Sequence, residues 1–202
     1  MIKHPKNFGY TMTQLPKNLY TSLLKECNLA QEKNKELTTA ISGTNTPKHY
    51  LIKDNLVALI QFVKKTVEEY DKVFPSLGDI AVLTKNVPFY IENPWMNFQK
   101  KHQFIPNHYH IGIYSYTIWM IIPYDIEEEL KNSKGGLGGH ASCYELTYIN
   151  SIGTINHEIM KIGRKDEGTM ILFPAKMHHC VYPFYTSDAT RISISGNVLL
   201  KG

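Results

Sequence analysis

The sequence of 202 residues predicts a mainly β protein, an antiparallel sandwich or barrel with helices packed outside it. After Gly78, about eight short runs rich in β-branched and aromatic residues follow one another, many separated by Gly, Pro, Asn or Asp. Helical periodicity is confined to the first 75 residues, so helices and strands do not alternate as they do in a parallel α/β sheet. We expect a single domain over residues 1–202, with 1–78 as a cover of helices and loops and 79–202 as the β core.

Two amphipathic helices are predicted in the N-terminal part. Apolar residues recur every three to four positions between residues 15 and 30, and again between 54 and 74. Asp54 is the expected N-terminal cap of the second helix and Pro75 is its expected end. Residues 38–50, between the two helices, are rich in turn formers and are expected to be a loop.

The β-rich runs are the candidate strands of the core. Their shortness and the turn residues that divide them favour antiparallel pairing over βαβ units. The runs are residues 79–91, 95–103, 111–123, 143–149, 154–162, 168–174, 180–185 and 190–200.

The composition is that of an ordinary globular protein, with 43% hydrophobic and 20% charged residues. No window is apolar enough for a membrane span. The lysines behind the net charge of +4 are spread along the chain, which indicates a solvated surface and gives no sign of nucleic-acid binding. The three cysteines are odd in number and widely spaced, which favours free thiols and a cytoplasmic location. Only two of the 22 basic residues are arginines, Arg164 and Arg191.

A pair of histidines opens the run from 108 to 123. If the strand already includes this pair, His108 and His110 project from one face together with Gly112, Tyr114 and Tyr116. The other face then carries Tyr109, Ile111, Ile113 and Thr117. Two imidazoles at this spacing can bind one metal ion. The alternative is a pair of hydrogen-bonded histidines at a strand edge.

A polar stripe runs along the last predicted strand. Arg191, Ser193, Ser195 and Asn197 alternate with apolar residues and therefore share one face. Such a stripe suits a cavity that holds a charged co-substrate, since a guanidinium donates two parallel hydrogen bonds to a carboxylate. An edge strand with its polar face in water explains the alternation equally well.

The order HxH, FPxxxxH and RxS, over residues 93–198, resembles the iron(II)- and 2-oxoglutarate-dependent oxygenases. It is most similar to the members found in phages and marine bacteria. The resemblance implies a double-stranded β-helix of two antiparallel sheets with iron at one open end. It also implies Fe(II), 2-oxoglutarate and O2 as cofactor and co-substrates.

The same resemblance assigns the metal ligands. It makes His108 the first ligand and His179 the last, with the adjacent His178 pointing the other way. The family pattern has Asp or Glu where this chain has His110, which is the expected third ligand. Three neutral imidazoles would leave the full charge of the metal uncompensated. No catalytic residue is expected beyond these ligands.

The resemblance also assigns the co-substrate contacts. Arg191 matches the arginine that pairs with the distal carboxylate of 2-oxoglutarate, and Ser193 the serine that supports it. Further polar contacts are expected from Asn97, Gln99, Tyr114 and Tyr116. For the two tyrosines, a role in the core is an equally open interpretation.

The function expected is that of an oxygenase, a hydroxylase by preference, with an unknown primary substrate. Two alternatives remain open: a three-histidine cupin-type dioxygenase without 2-oxoglutarate, and a non-catalytic β-sandwich binding or virion protein. The expected partners are the small-molecule co-substrate and, if the chain self-associates, a second copy in a homodimer. A cytoplasmic location is expected, in the host cell if a phage encodes the chain.

Overall fold

The structure is a computed structural model and describes residues 7–33, 35–37, 45–74, 87–132 and 139–201. Its helices are α1 (Lys17–Lys33), α2 (Leu56–Val73) and α3 (Ile126–Asn132). Its strands are β1 (Thr11–Gln14), β2 (Lys48–Leu51), β3 (Phe89–Ile91), β4 (Trp95–Gln99), β5 (Ile105–His108), β6 (Tyr114–Ile121), β7 (Tyr144–Ile149), β8 (Ile155–Met160), β9 (Thr169–Pro174), β10 (His178–Val181) and β11 (Arg191–Leu200).

The strands form two antiparallel sheets, which confirms the predicted fold class. The large sheet has the order β1-β9-β6-β11-β4-β2, with β3 paired to the end of β11, and the small sheet has the order β5-β10-β7-β8. The sheets face each other, because Trp119 and Phe173 of the large sheet share a buried cluster with Tyr144 and Leu146 of the small sheet. Beside this cluster, residues of β5, β10 and β11 line an open cavity between the sheets.

The two long helices cover the outer face of the large sheet. Their buried residues, Leu23 and Leu59 among them, pack against Tyr116 and Ile118 of β6. Successive residues of β6 therefore point alternately to the helices and to the small sheet, as strand geometry requires. Only the β6 residues that point to the small sheet can reach the space between the sheets.

The N-terminal cover contains two strands that the sequence analysis missed. β1 pairs with β9 and β2 pairs with β4, so both extend the large sheet. Part of the predicted loop, residues 48–50, is therefore strand, and residues 38–44 of it lie outside the described residues. Each strand has only four residues, which is too short for periodicity to separate it from a loop.

The N-terminus of α2 is capped differently from the prediction. The helix begins after Asn55 rather than Asp54, and the Asn55 side chain makes no cap hydrogen bond. The buried Glu26 carboxylate of α1 instead accepts the backbone N–H groups of Lys53, Asp54 and Asn55 at 2.6–3.0 Å. A carboxylate satisfies the free N–H groups and the partial positive charge of a helix start, whichever part of the chain supplies it.

The predicted elements include neither the short helix α3 nor the short strand β5, and β6 and β10 begin and end at other residues than the predicted runs 111–123 and 180–185. Helix α2 ends at Val73, while Pro75 lies outside the described residues. The first predicted core strand is described only from residue 87 onward and is a strand over Phe89–Ile91. Cys27, Cys143 and Cys180 are free thiols, as predicted.

Candidate metal and co-substrate site

Two neighbouring strands of the small sheet bring His108 and His179 together. His108 ends β5, and its Cα is paired in register with that of His179 on β10. The ring centroids of His108 and His179 lie 4.2 Å apart, and each lies 5.0 Å from the ring of His110. One nitrogen from each ring lies within 4.8 Å of the other two, as metal ligands require.

The prediction that His108 and His110 lie on one continuous strand is wrong. β5 ends at His108, β6 begins only at Tyr114, and the intervening residues turn. Gly112 has φ +90°, and a Cβ there would lie 2.5 Å from the carbonyl oxygen of Val198. The turn, rather than strand alternation, therefore returns His110 to the site.

The protonation of the histidines fits a bound cation. Nδ1 of His108 lies 2.7 Å from the carbonyl oxygen of Pro106, so Nδ1 carries the proton and Nε2 a lone pair. That lone pair faces Nε2 of His110 at 3.1 Å. Burial lowers the pKa of His108 and that of His179, and burial together with His108 lowers the pKa of His110 to about 4. Neutral imidazoles with converging lone pairs are the form that binds a transition metal.

Aromatic side chains fix two of the three rings. Trp95 stacks on His110 with the centroids 5.9 Å apart and the planes at 13°. Tyr144 stacks on His179 at 5.7 Å and 22°. The rings of His110 and His179 are therefore held in place by packing.

A cavity of about 490 Å³ adjoins the histidines. Its floor on the large sheet is a polar row in which Nδ2 of Asn97 donates to the hydroxyls of Ser193 and Ser195 at 3.2 and 3.0 Å. Thr117 lies beside Ser195, with the two hydroxyl oxygens 3.4 Å apart. The other lining residues are Leu37, His49, Leu51, Glu92, Asn93, Trp95, Ile105, Tyr109, Tyr144 and Val181.

The Tyr144 hydroxyl is an unused polar group beside this cavity. It is buried and has no partner at hydrogen-bond geometry among the described residues; burial raises its pKa, and an interaction with the Thr117 side chain, which also lines the cavity, opposes this rise. A buried hydroxyl without a partner is unfavourable, so a polar ligand in the cavity would stabilise it. Tyr144 is not among the site residues predicted from the sequence, although the alternation of β7 puts Tyr144 and Leu146 together on one face and β7 lies beside β10.

Arg191 lies next to the site but does not line the cavity. It is 5% exposed, and Gln99 Oε1 accepts from both Nε and Nη2, at 3.2 and 2.6 Å. Nη1 donates to the Tyr124 hydroxyl and to the Ser142 carbonyl, and Nη2 also donates to the Tyr182 carbonyl. The resemblance assigns this guanidinium to the distal carboxylate of 2-oxoglutarate. Among the described residues, the acceptors of this guanidinium are all neutral oxygens.

The structure does not bring Tyr114 and Tyr116 to the cavity. Both rings are buried in the core beneath the helices, and the Tyr114 hydroxyl donates to Asp71 of α2. The prediction that they share a face with the histidines is wrong, because the turn between residues 108 and 114 shifts the alternation. Thr117, which we expected on the opposite face, lines the cavity instead.

Comparison with known proteins identifies the chain by family. A family model described as "Putative 2OG-Fe(II) oxygenase" matches residues 93–197, just over half of the chain. This segment contains the three histidines and Arg191. No curated protein matches the sequence.

Solved structures share the fold at low sequence identity. A Pseudomonas putida prolyl-4-hydroxylase is 12% identical with a TM-score of 0.63, over 96% of this chain and 94% of that one. A viral collagen prolyl hydroxylase from Paramecium Bursaria Chlorella virus-1, solved with 2-oxoglutarate, is 13% identical with a TM-score of 0.53, over 95% and 96%. A prolyl hydroxylase from Trichoplax adhaerens is 13% identical with a TM-score of 0.56, over 95% and 83%.

These structural similarities confirm the double-stranded β-helix fold.

Among the described helices, none is long and apolar enough to cross a membrane. The family match and the cluster of three histidines agree on the same cofactor chemistry, that of Fe(II), 2-oxoglutarate and O2. The chain belongs to the 2OG-Fe(II) oxygenase family.

Proposed function

We propose that this oxygenase is a hydroxylase that holds Fe(II) with His108, His110 and His179 and anchors 2-oxoglutarate with Arg191 and Ser193. The observation that carries the proposal is the convergence of three neutral, buried imidazoles at one end of the cavity. When bound, iron with 2-oxoglutarate and O2 supplies the oxidising power, and the protein supplies position and electrostatics.

The unusual third ligand bears on how the co-substrate binds. A histidine at position 110 brings no negative charge, so the metal keeps its full positive charge in a buried site. An anionic co-substrate is therefore attracted more strongly here than to a site with a carboxylate ligand. Glu92, which also lines the cavity, is engaged by Nδ2 of Asn197 at 3.1 Å.

The environment of Arg191 supports it as the anchor for the distal carboxylate. Within the part of the chain that the structure describes, this buried guanidinium has hydrogen bonds to neutral acceptors but no carboxylate partner. Gln99 Oε1 occupies the edge formed by Nε and Nη2, which is the edge that a carboxylate takes in a two-pronged pair. Neither Arg191 nor Gln99 lines the cavity in this structure, so we infer that the co-substrate displaces Gln99 and thereby extends the cavity to this edge. The Tyr144 hydroxyl and Ser193, both at the cavity, are the further donors on offer.

Hydroxylation is the reaction type best supported among those that the family fold carries. The three similar structures described above are named as prolyl hydroxylases, which is a statement about those proteins. Their shared fold supports the reaction class for this chain, and it supports no particular substrate.

The test compares the only two arginines of the chain. Arg191→Ala should weaken 2-oxoglutarate binding to the Mn(II)-loaded protein by about 1.5–3 kcal/mol or more, since charge-assisted hydrogen bonds are lost. Arg191→Lys should have an affinity between those of the wild type and Arg191→Ala, because a point charge replaces a planar two-pronged donor. Arg164→Ala, at an exposed position that does not line the cavity, should bind like the wild type. Affinity is measured by calorimetry on variants whose folding is verified by circular dichroism.

Unchanged affinity in Arg191→Ala would contradict the proposal. Arg191 would then be a structural residue, satisfied by Gln99 and Tyr124, and the site would be a three-histidine metal centre without a 2-oxoglutarate anchor.

A further inference from the structure

The edge strand β2 contributes a buried histidine to the cavity that the proposed metal and co-substrate site does not use. In the register of β2 and β4, His49 lies beside Asn97 and Leu51 lies beside Trp95. Their neighbours Tyr50 and Met96 point into the core beneath the helices. His49 and Leu51 therefore point to the other face of the sheet, where both line the cavity.

The His49 side chain has an unused hydrogen-bonding atom. The residue is 1% exposed, and its Nδ1 makes no hydrogen bond within the described part of the chain. Burial lowers its pKa, an effect that Glu36 only partly offsets, so the ring is neutral near physiological pH. A buried polar atom without a partner is unfavourable, whereas a ligand that bonds to it removes the penalty.

The surroundings of His49 define what can occupy this end of the cavity. Leu37, Leu51 and Trp95 give it apolar walls, and the indole of Trp95 extends to the ring of His110. Among the described residues, those lining the cavity include one carboxylate, Glu92, and neither lysine nor arginine. An anionic group beside His49 would therefore find no lysine or arginine among the described lining residues to pair with.

We propose that His49, with Leu37, Leu51 and Trp95, forms a subsite for the primary substrate that takes an uncharged hydrogen-bonding group, such as an amide, carried on an apolar or aromatic body. The inference deepens the proposed function and rests on it for the identity of the occupant as the substrate. Trp95 then connects the subsite to the histidine cluster, so that the bound body points towards the reacting centre. His49 is a specificity-determining residue in this account.

Three probes with one aromatic body and different head groups test the inference. Phenylacetamide is neutral, phenylacetate is anionic and phenethylamine is cationic. Each is titrated into the full chain labelled with ¹⁵N-histidine, and the His49 ring nitrogens are followed by NMR. Phenylacetamide should shift the His49 Nδ1 signal and bind at least about tenfold more tightly than phenylacetate or phenethylamine, because burying either charged head group costs more than burying the neutral amide.

Variants separate the hydrogen bond from simple packing. His49→Leu should weaken phenylacetamide binding about tenfold, whereas His49→Asn, which keeps a polar atom near the Nδ1 position, should retain most of it. His140→Phe is the matched control, because Nδ1 of His140 also lacks a partner among the described residues but does not line the cavity. Thermal unfolding verifies that each variant is folded.

The inference is overturned if phenylacetamide fails to bind the wild type, if it leaves the His49 signals unmoved, or if His49→Leu binds it as well as the wild type does. These titrations need neither iron nor turnover. Amide binding through His49 in a chain that binds no iron(II) and 2-oxoglutarate would preserve the subsite and remove the oxygenase function. Binding of iron(II) and 2-oxoglutarate without amide binding through His49 would rule out the subsite and leave the oxygenase function in place.

Discussion

At the scale of residues, two side chains determine the net charge of the proposed site. In the proposed site, His110 would bring no negative charge to the metal, and Arg191 would add a positive charge whose acceptors among the described residues are neutral oxygens. Both changes increase the attraction for an anion between them. A dicarboxylate co-substrate would meet both needs in the proposed site, with one carboxylate for each positive centre.

Replacing Gln99 tests this balance with an isosteric change. Gln99→Glu gives Arg191 a permanent carboxylate at the edge formed by Nε and Nη2, in place of the neutral Oε1. The variant loses the hydrogen bond that Gln99 Nε2 donates to the Gln103 carbonyl, so its folding is verified by circular dichroism. It should bind 2-oxoglutarate at least about tenfold more weakly, because the internal carboxylate competes for the guanidinium. Calorimetry on the Mn(II)-loaded protein measures the affinity.

The matched control is Gln61→Glu, the same chemical change at an exposed position on α2. Wild-type affinity in Gln99→Glu would mean that the co-substrate does not use this edge of Arg191.

At the scale of elements, the turn between β5 and β6 determines whether the third histidine reaches the site. The sequence predicted His108 and His110 as metal ligands, because the HxH spacing and the family resemblance both depend only on residues close to them in the chain. It could not show the turn, because a run of β-branched and aromatic residues reads as one strand until the positive φ of Gly112 is known. The faces assigned to Tyr114, Tyr116 and Thr117 were wrong for that reason alone.

Gly112→Ala should damage the metal site through the backbone. An alanine at this position would have to adopt a left-handed backbone conformation, and its Cβ would clash with the Val198 carbonyl oxygen. The substitution should therefore lower the free energy of unfolding by about 1–3 kcal/mol. It should also weaken Mn(II) binding, because His110 lies two residues away in the same turn. Chemical denaturation and metal titration measure the two effects.

Gly153→Ala is the control for backbone strain. Gly153 has φ +80° in the turn between β7 and β8, and a Cβ added there would meet no atom within 4 Å. It should lose stability but keep its metal affinity. Equal metal affinity in both glycine variants would show that the turn does not position His110.

The outer face of the small sheet carries a pH-dependent contact away from the cavity. Glu145 of β7 accepts hydrogen bonds from the Tyr182 hydroxyl at 2.7 Å and from Thr147 at 3.1 Å, and its Oε1 lies 2.6 Å from Nδ1 of His157. Burial raises the pKa of Glu145, but the contacts with Tyr182, His157 and Thr147 outweigh it and hold the pKa below the ordinary value. A lowered folded-state pKa stabilises the fold above the unfolded value, and this contribution is lost as the pH falls through the folded value.

Glu145→Gln should therefore be less stable than the wild type above a pH of about 4.5, the ordinary value for Glu, and should lose less stability on further acidification. Chemical denaturation at several pH values measures this. Glu127→Gln, an exposed carboxylate on α3, should follow the wild-type pH dependence. Parallel pH curves for wild type and Glu145→Gln would contradict the account.

For the molecule as a whole, the elements that could be predicted from the sequence are those with long periodic patterns or specific motifs. The two long helices and the succession of core strands were predicted because periodicity accumulates over many residues. The four-residue strands β1 and β2, the capping of α2 by Glu26, and the contribution of His49 to the cavity were not. Each of these depends on contacts between segments far apart in the chain, which no local pattern records.

The central claim is that one site holds iron and 2-oxoglutarate together. The most direct measurement is an anaerobic titration of the protein with Fe(II) followed by 2-oxoglutarate, monitored for a metal-to-ligand charge-transfer absorption band. The account predicts a band that saturates at one equivalent of each in the wild type and is lost in His179→Ala, with His178→Ala unchanged. A folded wild type that gives no band, or a His179→Ala variant that gives the full band, would contradict it.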